Sequence, residues 1–91
     1  MSLTNETVLN RVASTIGALE KMSQKDLLAT PMPQFVEEYN RTRLAFVGLN
    51  PAFAESVPPE ILDQCRYVEL LAYSKQIQGL LRKIWLKKKD A

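Results

Sequence analysis

The stretch PPEILDQCRYVELLAYSKQIQGLLRKIWLKKK, Pro58–Lys89, decides the fold, because it reads as one long helix. Pro58 and Pro59 suit a first turn, where a missing N–H costs nothing. Glu60 and Asp63 place negative charge at the positive end of the helix dipole. Arg82, Lys83, Lys87, Lys88 and Lys89 place positive charge at the other end. No proline follows Pro59, and Gly79 is the weak point, about 1 kcal/mol worse than alanine in a helix interior. These features predict a helix covering most of Glu60 to Leu86.

Along this stretch the apolar pattern changes. From Cys65 to Tyr73 apolar residues fall on nearly every face, the mark of a helix enclosed by neighbours. Val68, Leu71 and Ala72 are therefore expected in the core. Between Ser74 and Gly79 only Ile77 is apolar, after which Leu80, Leu81, Ile84 and Trp85 resume a single stripe. A helix from Pro59 to Lys88 would be about 45 Å long. A chain of this size has a radius of gyration near ~12 Å, hence a diameter of roughly 30 Å. The expectation is that the helix breaks near Gly79, or that residues 77–91 project as an amphipathic, basic end. Projection makes Ile77, Leu80, Leu81, Ile84 and Trp85 the candidate partner-binding residues.

The 91 residues make one helical domain, 1–91. An apolar content of 46% argues for a folded core rather than a disordered chain. A single cysteine permits no internal disulfide, which fits a reducing compartment. The first residues lack a basic region followed by an apolar run, so an intracellular, cytoplasmic setting is expected. No stretch reaches the roughly 18–20 apolar residues needed to span a bilayer. Net charge is +2 but unevenly spread: residues 1–74 hold six basic and nine acidic residues, and residues 75–91 hold six basic and one acidic. The positive charge thus collects on the end of the long helix.

Upstream the chain reads as shorter helices that fold back over the long one. Thr4 or Asn5 is an N-cap, and Leu9, Val12, Ile16 and Leu19 follow at helical spacing, with Val8 and Ala13 in support. Ala13, Gly17 and Ala18 are small enough to admit a close neighbour. Ser23-Gln-Lys-Asp26 has the form of a capping box opening a short helix to Ala29, and Thr30-Pro-Met-Pro33 stops it. Pro33 opens the next helix, with Phe35, Val36, Tyr39, Phe46 and Val47 on one side. Glu37 and Arg41 are spaced to pair outside. Gly48 reads as a helix stop, and Asn50-Pro51 as the start of a short helix over Ala52–Ser56. The fold class is all-α: a small bundle of four to five helices with one long C-terminal helix.

Chemistry is constrained by what is missing. Without histidine there is no Ser–His or Cys–His nucleophile, and with one cysteine besides there is no structural zinc site. Carboxylate di-iron sites need Glu-x-x-His pairs, and three isolated glycines make no phosphate loop. Cys65 lies in the apolar run and reads as packing. Glu37 and Glu38 are adjacent, so they diverge on a helix. Asn5-Glu-Thr7 and Asn40-Arg-Thr42 match the glycosylation sequon, within or beside helices, and are read as chance. A helix-turn-helix at Gly48 would need Arg, Lys or Gln on the helix after it, which has none.

The sequence therefore predicts no enzyme, no cofactor and no small-molecule substrate. It predicts a helical protein–protein interaction module, a homodimer or a small subunit of a larger assembly, whose partner is itself or another helical subunit. The alternative is nucleic-acid or anionic-membrane-surface binding through Arg82, Lys83, Lys87, Lys88 and Lys89.

Overall fold

The computed structural model describes residues 4–90, with side chains described for residues 4–84. The protein is all-α, with no strand among the described residues. Its elements are α1 (Asn5–Glu20), α2 (Gln24–Leu27), α3 (Pro33–Leu49), a 3₁₀ turn (Pro51–Phe53) and α4 (Tyr67–Asp90). Thr4 caps α1 by accepting from the Thr7 N–H, and Ser23 caps α2 by accepting from the Asp26 N–H. Pro33 sits in the first turn of α3, where its ring suits the backbone.

α1, α3 and α4 each bury one narrow stripe. Val8, Val12, Ile16 and Leu19 of α1 meet Tyr39, Thr42 and Phe46 of α3 and Tyr67, Leu70, Ile77 and Leu81 of α4. Phe46, Leu19, Leu70, Ile77 and Val8 are fully enclosed, each worth about 1.5–3 kcal/mol of transfer from water. α1 runs antiparallel to α3: Asn5 and Asn50 exchange side-chain amide hydrogen bonds of 2.7 and 3.3 Å across their ends. It is antiparallel to α4 as well, since Val12 and Thr15 line an interior void with Ser74 and Ile77, and Lys75 reaches Glu20 at 3.6 Å.

With α3 and α4 parallel, the chain must travel back along α3 before α4 begins. Residues 58–66 make that return, and its first part, 58–61, is held by the side of α3. Arg43 Nε donates to the Pro58 carbonyl at 2.7 Å, and the Tyr39 hydroxyl donates to the Pro59 carbonyl at 2.8 Å. Asn40 clasps Ile61 from both sides at 2.9 Å. These bonds occupy the backbone groups that a helix starting at Pro58 would need. The long helix consequently starts at Tyr67 rather than near Glu60, and it then runs unbroken through Gly79.

Further expectations are corrected by the packing. Val68 is 39% exposed and Ala72 faces solvent, while Leu71 is half-buried; the core positions are Tyr67, Leu70, Ser74, Ile77 and Leu81. That is one seam at spacings of three and four, continuous through a buried Ser74, so the polar break after Tyr73 does not exist in space. Gly48 is not a left-handed stop, because no residue among those described has positive φ and α3 continues to Leu49. Between α3 and α4 only Pro51–Phe53 is helical, as a single 3₁₀ turn; Asn50 turns its amide back to the Phe46 carbonyl and to Asn5 instead of capping a new helix. On the outer face of α3, Arg41 reaches Glu38 at 3.7 Å rather than Glu37.

Candidate functional site

Ile77 and Leu81 lie 0% and 2% exposed in the core of their own chain, and Leu80 and Ile84 are half-buried against it. The stripe predicted to meet a partner is therefore largely occupied by α1. The length argument fails because helices laid side by side make a rod, not a sphere. The molecule measures 44 × 26 × 24 Å, which accommodates an α4 of about 36 Å. Counting outward from the contact with Ser74 and Ile77 brings the first turn of α1 level with Leu81 and Ile84. Trp85 lies outside the described side chains, as do Lys87, Lys88 and Lys89. Arg82 and Lys83 are exposed on the outer face of α4.

The exposed apolar surface is elsewhere. Six large apolar side chains are exposed among the described residues: Leu28, Met32, Leu44, Leu49, Leu62 and Val68. Leu44 and Leu49 lie on α3. The other four sit on segments gathered at the end of the bundle where α4 begins. The Tyr67 N–H donates to the Ala29 carbonyl at 3.1 Å, and its hydroxyl accepts from the Met32 N–H at 3.0 Å. The Tyr67 ring packs edge-on against Phe35 at 5.3 Å, so one buried tyrosine fixes the 28–33 bend, the start of α3 and the start of α4 together. Sequence reasoning missed this role, and an aromatic three residues before a second seam position (Leu70) was the available signal.

Beside this junction runs an open groove of about 510 Å³, walled by Pro31, Pro33, Val36 and Leu62, with Glu37 and Asp63 on its rim. Neither carboxylate makes an ion pair among the described residues. Glu69, by contrast, is engaged, accepting from the Arg66 N–H at 3.1 Å just ahead of α4. A second shallow depression of about 560 Å³ lies between α1 and α3, bordered by Arg11, Ser14, Ala18, Phe35 and Glu38. It exposes none of the large apolar side chains just described.

Cys65 is buried in the return segment. Burial pushes its thiol up, and the Glu69 carboxylate pushes the same way, so thiolate is scarce at neutral pH and the group is a poor nucleophile. Among the described residues no group of three or more Cys, Asp or Glu side chains is placed to hold a metal ion. No helix among them is long and apolar enough to cross a membrane. Asn40, read above as a chance sequon, has its amide committed to Ile61.

Fold and site together define, among the described residues, a small all-α bundle of four helices with an extended return segment and an apolar end. No protein-family model, curated protein or solved structure matches the chain.

Proposed function

We propose that this chain is a non-enzymatic helical protein–protein interaction module, a homodimer or a small subunit of a larger assembly, which uses the apolar end of its bundle. The observation that carries the reading is the gathering of Leu62 at 81%, Leu28 at 57%, Met32 at 52% and Val68 at 39% exposure on segments tied together through Tyr67. Large apolar side chains left exposed on neighbouring segments support an interaction site at this end. The proposed contact surface thus lies at the opposite end of α4 from the Ile77–Ile84 stripe, whose Ile77 and Leu81 are buried within the chain.

Sedimentation and affinity capture test it together, using the parent protein and the Leu62→Asp and Met32→Asp variants. Both positions are exposed, so the variants retain the fold. The expected result is self-association, or retention of a defined protein partner, by the parent and its loss in both variants. A parent that is monomeric and retains the same proteins as its variants overturns the reading.

A second reading is favoured by one observation: Arg82 and Lys83 are exposed on a segment carrying six basic residues and one acidic. Here Arg82, Lys83, Lys87, Lys88 and Lys89 would bind a nucleic acid or an anionic membrane surface. Such binding weakens steeply with salt, whereas an apolar interface does not.

A further inference from the structure

We infer that the groove between the Pro31–Pro33 bend and Leu62 takes a cationic amphipathic segment of a partner protein. The inference rests on the reading of this end as an interface and adds the chemistry of what docks there. Its walls are mostly apolar (Pro31, Pro33, Val36 and Leu62, beside Thr30 and Gln64), so the bound segment presents aliphatic side chains. Its rim is anionic. Glu37 and Asp63 line the groove itself, both exposed and without an ion pair among the described residues. Asp26 and Glu60 lie on the adjoining α2 and return segment. Lys25 and Arg66 are the basic residues on the same segments, so the balance stays negative. The two groove carboxylates are not explained as helix caps: Glu37 lies beyond the first turn of α3, and Asp63 lies four residues ahead of α4, whose start is served by Glu69. Carboxylates at an apolar rim select a cationic partner by complementarity and repel an anionic one.

The net charge of the protein makes the inference sharp. At +2 overall, the chain repels a lysine-rich peptide at long range, so attraction must come from a local acidic surface.

The probe is a fluorescent helical peptide built from leucine and lysine alone, with a leucine–glutamate peptide as its counterpart. Binding is followed by anisotropy at low and high salt, and the contact surface by backbone amide NMR shifts. The leucine–lysine peptide is expected to bind and to shift the amides of Val36, Leu62 and their neighbours, while the leucine–glutamate peptide does not bind. Glu37→Gln with Asp63→Asn should weaken binding about tenfold, as loss of two complementary charges does, and remove most of its salt dependence. Glu6→Gln with Glu55→Gln, equally exposed but elsewhere, should leave it unchanged. Equal binding of both peptides, shifts confined to another face, or no effect of the groove variant overturns the inference. If Leu62→Asp still abolishes self-association or partner retention in that case, the apolar interface stands and only the cationic partner is lost.

Discussion

Asn40 of α3 and Ile61 of the return segment exchange two hydrogen bonds of 2.9 Å, the side-chain amide donating to the Ile61 carbonyl and accepting from its N–H. One side chain thus satisfies a whole backbone unit, as a neighbouring strand would. With the Tyr39 and Arg43 bonds to the Pro59 and Pro58 carbonyls it fixes the path of the chain into α4. Removing one partner of a buried pair leaves the other unmet, at about 1–3 kcal/mol. Asn40→Ala should destabilise by that amount. Asn40→Asp should do no better above neutral pH, because a carboxylate accepts from the N–H but faces the carbonyl with no proton to give. Chemical denaturation of the three proteins checks this; an aspartate variant as stable as the parent would sink it.

The seam on α4 makes a register prediction. Leu70→Ala, at a fully enclosed position, should cost about 2–5 kcal/mol. Val68→Ala, on the exposed side two residues away, should stay within about 0.5 kcal/mol. The reverse order in urea unfolding means that α4 is rotated relative to the packing described.

Gly79 sits inside α4, faces solvent, and would offer an added Cβ no atom within 4 Å. No strain opposes alanine there, and glycine carries an entropic cost in a helix interior. Gly79→Ala should therefore raise stability by about 0.5–1 kcal/mol. Thermal unfolding of the variant beside the parent reads this directly, and an unchanged or lower midpoint contradicts an unbroken helix at this point.

Burial pushes the Tyr39 phenol up from its ordinary value; Arg43 nearby opposes the shift and Tyr73 adds to it. The unfolded chain loses this proton near about pH 10, while the folded protein holds it to higher pH. The stability that this group contributes is therefore complete below about pH 10 and is lost as pH rises above it. Cys65, raised in the same direction, adds a loss of its own at alkaline pH. Tyr39→Phe forfeits the bond to the Pro59 carbonyl, so it should be less stable at about pH 8 and lose less on going to about pH 11. Parallel stability profiles for the two proteins would show that the phenol is not the titrating group.

Much of this architecture is written in local chemistry. The caps at Thr4 and Ser23, the proline opening α3 and the 3–4 spacing of Val12, Ile16 and Leu19 act within a turn or two, so the sequence determines an all-α bundle and where its first three helices begin. The same local signals misplace the start of α4. Two prolines followed by acidic residues look like a helix start, but the fold needs those residues extended so that α4 can lie parallel to α3. Tyr39, Asn40 and Arg43, roughly twenty positions away, supply the bonds that hold them so. The rotation of α4 was equally out of local reach, because a serine at position 74 looks polar until Val12, Tyr39 and Thr42 close around it. From that one choice follows the surface that remains free. Burying Ile77 and Leu81 against α1 takes two residues of the expected contact stripe into the core, and folding the 28–33 bend onto Tyr67 brings the segments of Leu28, Met32, Leu62 and Val68 together. Hydrogen bonds and packing between distant residues decided that surface, since no local spacing rule specifies which apolar side chains a neighbouring helix will reach.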